Sequence, residues 1–500
     1  FSSITFLIYF LPCMVLVYFL APGRMKNTVL LLGSLIFYGW GEPKYLPVMA
    51  AVILAGYLSA RLIGTCQNKR QSKILLAAAV LLEIFPLIYC KYADFFIQNL
   101  NVLTGQKIPL LSIAMPLGIS FYTFQVISYT VDVYRGDVPA QKNLLTFAAY
   151  VAMFPQLVAG PIVRYSDIRS QLENRMHSVE KCAYGIRRFV TGLSKKILIA
   201  NVLGELIGQF QASEEKSVLF FWMYAVAFML QIYFDFSGYS DMAVGLGVVF
   251  GFDFPENFRY PYCSASITEF WRRWHITLGA WFKDYIFYPI SLGTHFQKFS
   301  QKCRAHMNRY YAATIPGIFA LFAVWFGNGI WHGAEWKYII YGLYYYVIMV
   351  LGMLLEPVFA AFCRKCNIDR NASWYHIMQT ARTFILVNIG MLIFRARNLN
   401  VAIAMLCSVF RPWNSKVSFW QIAFDQGGLF KLDFLLIVFS IILLYLIGKS
   451  QEEGHSIREL ISKQSLPIRW GLYMIPIILI IIAGAYGPGW GVADFIYAKF

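Results

Sequence analysis

The chain has 500 residues, of which 58% are hydrophobic, 18% aromatic and only 14% charged. A soluble domain carries roughly a quarter charged residues, so a water-exposed globular fold is excluded and lipid is the expected solvent. The formal net charge is +17, but the basic residues fall between apolar runs and form no folded basic module, so no nucleic-acid partner is expected.

In chain order, the first apolar run covers 4–20. Its basic residues, Arg24 and Lys26, follow it, and no small-residue cleavage site comes next, so it reads as a span and not as a cleavable signal. A weaker run at 29–38 precedes a strong one at 48–63, after which come Lys69, Arg70 and Lys73. Weaker runs at 74–92, 115–131, 147–159 and 189–210 lead to a strong run at 219–233 and a weaker one at 242–250. Strong runs at 314–330 and 338–355, a weaker one at 383–394, and strong runs at 434–447 and 472–485 complete the series. The strong runs approach or reach the roughly 20 residues a membrane helix needs. Only helices or closed barrels cross lipid, and this pattern is helical. The expected fold class is all-α: a polytopic integral membrane protein with roughly 11–13 membrane helices plus re-entrant and amphipathic ones. No internal repeat or low-complexity linker appears, so residues 1–500 are read as a single integral membrane domain.

Lys and Arg concentrate on the cytoplasmic side of membrane proteins. That rule places the loops after the 4–20 and 48–63 runs inside. It does the same for 164–196, with Arg169, Arg175, Lys181, Arg187 and Arg188, and for 449–469. Both termini are then expected outside. The nine cysteines are scattered, and the lone Cys363/Cys366 pair lacks a second pair or a nearby histidine, so reduced thiols are expected and no metal site. Asn371 matches a glycosylation sequon in a loop that charge places in the cytoplasm. Gly245, Gly247 and Gly251 superficially match a nucleotide-binding pattern, but the four-residue spacing of Gly247 and Gly251 suits close helix packing in lipid.

Ionisable groups inside apolar surroundings are costly and therefore informative. Three constellations have this character. In Phe234-Asp235-Phe236-Ser237-Gly238-Tyr239-Ser240-Asp241-Met242, Asp235 and Asp241 are candidate bases or proton carriers. The alternative is a structural polar network including Ser237 and Tyr239, with Gly238 breaking the helix. Pro255-Glu256-Asn257-Phe258-Arg259-Tyr260-Pro261 follows as an ordered turn. In Glu269-Phe270-Trp271-Arg272-Arg273-Trp274-His275, continuing to Trp281, Lys283 and Asp284, the tryptophans recur at helical spacing and share a face with His275. An interfacial amphipathic helix is expected, either as an anchor or as a cationic rim with His275 aimed inward. In Trp325-Phe326-Gly327-Asn328-Gly329-Ile330-Trp331-His332-Gly333, His332 lies deep in an apolar stretch. A buried histidine tends to stay neutral and so can act as a base. A structural histidine is the competing account.

Taken in order, these stretches resemble the membrane-bound O-acyltransferase family, and within it the bacterial alginate O-acetyltransferase branch. Met115-Pro116-Leu117-Gly118-Ile119-Ser120-Phe121-Tyr122-Thr123-Phe124, Phe154-Pro155-Gln156-Leu157-Val158-Ala159-Gly160-Pro161-Ile162, and Trp331-His332-Gly333 also carry the resemblance. It implies helices around a central tunnel, with residues 110–395 as the catalytic core. It implies His332 as the catalytic histidine, His275 as the second functional one, and Asp235, Ser237, Tyr239, Asp241, Asn328 and Trp331 as a supporting network. Acetyl-CoA is the implied donor substrate, with no bound cofactor; Arg272, Arg273, Lys195 and Lys196 are candidates for its phosphates. The tail at 490–500 ends Phe495-Ile496-Tyr497-Ala498-Lys499-Phe500, similar to tails in which a tyrosine carries the acyl group. A phenol is an adequate nucleophile when a base helps and a good leaving group later. The implied setting is a bacterial cytoplasmic membrane, with a polysaccharide acceptor and an extracytoplasmic partner of the SGNH hydrolase-like type. After Tyr288-Pro289-Ile290, Ser291-Leu292-Gly293-Thr294-His295 departs from the alginate pattern, which weakens alginate as acceptor. D-alanyl transfer from a carrier protein toward teichoic acid is the enzymatic alternative, and a transporter or flippase the non-enzymatic one.

Overall fold

The computed structural model describes residues 1–212, 218–409 and 431–485. The tail at 490–500 with Tyr497, and the mixed aromatic loop up to residue 430, lie outside the described residues. Among the described residues the secondary structure is helical apart from one antiparallel bridge, between Phe258 and Trp274. Six helices among the described residues are long and apolar enough to cross a membrane: Pro43–Thr65, Lys69–Thr104, Arg309–His332, Trp336–Lys365, Ser373–Arg395 and Leu466–Ala483. The protein is a multi-pass, all-α membrane protein. Several of the weaker runs are shorter or broken helices. The 147–159 run, for example, divides at Met153 into Leu144–Ala152 and Phe154–Leu157, with Pro155 starting the second piece.

The helices that build the site are named in chain order. Helix α1 (Lys69–Thr104) starts at Asn68, whose side chain accepts from the Arg70 and Gln71 N–H groups, and stops at Gly105 in the left-handed region. Its 36 residues make it about 54 Å long, more than a bilayer core requires. Helix α2 (Ile119–Arg135) packs on it. Helices α3 (Val179–Ser194) and α4 (Val218–Val249) form the most extensive helix pair. The short helices α5 (Ile267–Arg273) and α6 (Ile276–Phe282) follow, then α7 (Arg309–His332), α8 (Trp336–Lys365) and α9 (Ser373–Arg395).

Helix α4 differs from the sequence expectation. The polar stretch around Asp235 does not interrupt it, and Gly238 does not break it: the helix runs unbroken from Val218 to Val249. Gly238 is there for contact. A Cβ at Gly238 would lie 2.7 Å from the Gly192 carbonyl, and one at Gly192 would lie 2.4 Å from the Gly238 carbonyl. The same reciprocal relation joins Gly185 and Gly245, at 2.6 Å each way. Helices α3 and α4 therefore cross backbone to backbone, as small residues permit in lipid. The glycine spacing that matters is Gly238/Gly245, not Gly247/Gly251; Gly247 packs on the Phe254 ring and Gly251 ends the helix at positive φ.

Helices α7 and α8 use the same device. A Cβ at Gly342 would lie 2.3 Å from the Trp325 carbonyl, and one at Gly329 would lie 2.6 Å from the Tyr338 carbonyl. This contact sets the end of α7, and with it His332.

Replacing Gly192 by Leu inserts four carbons where the Gly238 backbone now sits. Overpacking of this kind costs about 1–3 kcal/mol or more, so Gly192→Leu is expected to lower the unfolding temperature in detergent. Gly208→Ala, where a Cβ meets nothing within 4 Å, is expected to leave it unchanged; equal effects of the two would contradict the crossing.

Candidate active site

His332 is the last residue of α7 and is 3% exposed. It lines a narrow cavity with Lys91, Ser120, Phe121, Val158 and Trp331, whose remaining wall is the turn around Met115 to Ile119. The imidazole meets the rings of Tyr341 (5.4 Å) and Phe394 (5.1 Å) edge-on. The turn that forms the wall requires Gly118, which has a φ of +72°, and a side chain there would strike the Leu157 carbonyl at 2.3 Å.

His275 is also buried, at 2% exposure. The continuous amphipathic helix expected over 269–284 is absent, because the chain breaks between α5 and α6. His275 occupies the break with a φ of +45°. The break sends the three tryptophans to different neighbours. Trp271 meets Trp325 and Tyr345, Trp274 packs on Phe258 and Phe270, and Trp281 stacks on Phe124 at 3.9 Å. All of these are core contacts, not an interfacial face.

Asn257 holds the break open. Its backbone carbonyl accepts from Ile276 N–H (2.9 Å), and Arg259 N–H donates to the Arg273 carbonyl (2.9 Å). Its side-chain Nδ2 donates to the Gly160 carbonyl (3.2 Å) and Ser240 Oγ (3.1 Å). Thr277 Oγ1 donates to Asn257 Oδ1 (2.9 Å) and accepts from Ile162 N–H (2.9 Å). A carbonyl only accepts, so the Gly160 contact fixes which end of the amide is nitrogen. Oδ1 then faces His275 Nδ1 at 3.0 Å, and Nδ1 must carry the proton. His275 Nε2 is left with its lone pair, buried and without a hydrogen-bond partner among the described residues.

The two histidines share one neighbour. The Trp331 ring lies 4.9 Å from the His332 ring and 5.8 Å from that of His275, and Phe121 packs against both Trp331 and His275. The structure therefore brings His275, Trp331 and His332 together, although 57 positions separate the histidines in sequence (332 − 275).

The carboxylates of α4 have another setting. Asp235 pairs with Lys196 (2.5 Å), and Asp241 pairs with Lys195 (2.7 Å) and Arg188 (2.8 Å). Arg188 also reaches Glu256. These pairs lie on the same antiparallel register as the glycine contacts, so α4 is clamped by charges to α3 and to the two lysines that directly follow it, around the close approach. Asp235 and Asp241 are thus ion-pair partners. Lys196, 5% exposed, stands in the core and not on a rim. Arg273 is held by Glu269 and Glu452, whereas Arg272 is exposed. Ser237, Tyr239 and Asn328 are buried. Asn257 and Lys91 were not singled out in the sequence. Asn257 sat in a stretch read only as a turn, and Lys91 lay inside the 74–92 apolar run.

Comparison with known proteins bears on this arrangement. The family model described as "MBOAT, membrane-bound O-acyltransferase family" matches residues 138–302. A probable alginate O-acetylase of Pseudomonas putida is 41% identical over 417 residues, covering 82% of this chain and 80% of that protein. The chain belongs to the membrane-bound O-acyltransferase family. It is an O-acyltransferase, which removes the transporter alternative. Other relatives in the family are a peptidoglycan O-acetyltransferase of Helicobacter pylori (30% identical; 81% of this chain, 79% of that one) and a teichoic acid D-alanyltransferase of Bacillus subtilis (28%; 70% and 83%).

Asn257→Leu removes the acceptor that fixes the His275 tautomer. Acyl transfer is expected to fall about 10²-fold with helix content unchanged by circular dichroism. The ¹⁵N shifts of labelled His275 should lose their Nδ1-protonated pattern; wild-type turnover would contradict the positioning of this ring.

Proposed function

We propose that the protein transfers an acetyl group from acetyl-CoA, bound from the cytoplasm, toward O-acetylation of an extracytoplasmic polysaccharide. The observation that carries this reading is His332 at a helix end, opening on a cavity, with His275 packed on the same Trp331 ring, in a chain related to polysaccharide O-acetylases. The chemistry follows from the imidazole. His332 takes the proton of a hydroxyl as its oxygen attacks the thioester carbonyl, then gives it to the departing thiolate. His275, with Nε2 free to accept, orients the attacking group or relays that proton. Apolar walls around the site keep water from competing for the acyl group.

In this reading both termini lie outside and the protein sits in a bacterial cytoplasmic membrane. Tyr497 is then the hydroxyl that receives the acetyl group. It passes the group to an extracytoplasmic partner of the SGNH hydrolase-like type, which finishes the transfer. Arg272, exposed in the last turn of α5, is the remaining candidate for the phosphates of the donor, since Lys195, Lys196 and Arg273 are engaged by carboxylates. D-alanyl transfer is the second reading, and likeness to a teichoic acid D-alanyltransferase favours it.

Radiolabelled acetyl-CoA supplied to purified protein in proteoliposomes tests the proposal. His332→Ala is expected to lower acetyl transfer by about 10²–10⁴-fold without changing the unfolding temperature; an undiminished rate would remove His332 as the base. Tyr497→Phe is expected to abolish acetylation of the polymer when partner and acceptor are added. Normal polymer acetylation by that variant would exclude the relay and spare the histidine. Transfer from a D-alanyl carrier protein but not from acetyl-CoA would favour the second reading.

A further inference from the structure

Lys91 lies on α1, the long helix that passes the end of α7. Its Nζ donates to the Trp331 carbonyl at 2.6 Å, and the next residue, Tyr92, donates through its hydroxyl to the Ile330 carbonyl at 2.8 Å. Carbonyls in the last turn of a helix have no partner within it and carry partial negative charge, so donors are welcome there. A hydroxyl or an amide would suffice for that task. A lysine brings a full charge into an apolar span, which is costly unless it is paired or used. Among the described residues no carboxylate forms an ion pair with Lys91. The bond to Trp331 occupies one of its three N–H donors.

Lys91 lines the same cavity as His332, with its Nζ also 6.0 Å from the centre of the Trp331 ring, and Ser120 and His332 are the remaining polar side chains there apart from the Trp331 indole. Acyl transfer makes one new charge in such a place. When an oxygen attacks the acyl carbonyl, the carbonyl oxygen becomes an oxyanion. A preorganised cation in a water-poor site is worth far more to that oxyanion than one in water.

We propose that Lys91 is a catalytic residue whose ammonium stabilises the oxyanion formed as the acyl group is transferred at His332. This rests on the reading of His332 as the base. The step balances with the groups at hand. The hydroxyl oxygen bonds to the carbonyl carbon, the hydroxyl proton passes to His332, and the carbonyl π pair becomes the oxyanion beside Lys91. As the carbonyl re-forms, the carbon–sulfur bond breaks and the thiolate takes the proton from His332. In its ammonium form Lys91 neither gives nor takes a proton in this step. Its bond to the Trp331 carbonyl places the ammonium one residue from the base, so one contact both caps α7 and sets the distance between the two groups.

Three substitutions in the full-length protein separate charge from capping. Lys91→Gln keeps a donor on a side chain one bond shorter but removes the charge, Lys91→Arg keeps the charge, and Lys91→Met removes both. Unfolding temperature, KM for acetyl-CoA and kcat are measured for each, with wild type and His332→Ala alongside. Lys91→Gln is expected to retain stability and KM while kcat falls about 10²–10³-fold; Lys91→Arg should recover part of kcat. Wild-type kcat in Lys91→Gln would reduce Lys91 to a cap and overturn the proposal. If the Gln variant does not fold, a kcat for Lys91→Arg as low as that of Lys91→Met overturns it. Failure of the parent reading has a different signature: His332→Ala then turns over at the wild-type rate. If the wild type uses only a D-alanyl carrier, the same comparison is made with that donor.

Discussion

One side-chain amide ties the site together. Asn257 bonds to Gly160, Ser240, His275 and Thr277 at once, and these residues lie on three separate segments of the chain. In a low-dielectric interior a fully satisfied polar cluster is rigid, because any displacement leaves a group without a partner. The bonds from Asn257 hold an αL break at His275, where no glycine or proline would impose one. They also leave one ring nitrogen of His275 bare and facing the interior. Trp331 carries that order across to His332, which the α7–α8 contact at Gly329 and Gly342 fixes from the other side.

The close approach of α3 and α4 solves a related problem. Apolar side chains gain little from leaving lipid for a helix interface, so association has to come from close packing and polar contacts. Two reciprocal glycine pairs supply the first, and the pairs of Asp235 and Asp241 with Lys196, Lys195 and Arg188 supply the second. Breaking a buried ion pair from one side strands a charge and costs about 3–5 kcal/mol, whereas the intact pair adds little net stability. The charges therefore act chiefly on register, and Ser240, one residue before Asp241, is delivered to Asn257 by that register.

Much of the fold was legible in the sequence because lipid imposes long apolar runs, and His332 was visible because Glu335 and Lys337 are the only charged side chains between Thr314 and Leu355. What stayed hidden depends on partners distant in the chain. Asp235 and Asp241 read either as acid–base candidates or as a structural network, because their cations lie some forty to fifty positions upstream. Gly238 looked like a helix breaker because its use, contact with Gly192, is tertiary. The break at His275 has no local signal, since Asn257 imposes it from 18 positions away. Lys91 lay unremarked inside the 74–92 apolar run, and only the approach of α7 gives it a role.

The account holds that acyl chemistry occurs at His332, between Lys91 and His275, and not at the carboxylates of α4. A structure of the protein with a non-hydrolysable acetyl-CoA analogue bound tests this most directly. The account predicts the acyl carbonyl in the cavity at His332, with its oxygen toward Lys91 and the pantetheine arm leading away from it. An acyl group seated instead against Asp235 or Asp241, with their ion pairs to Arg188, Lys195 and Lys196 opened, would contradict it.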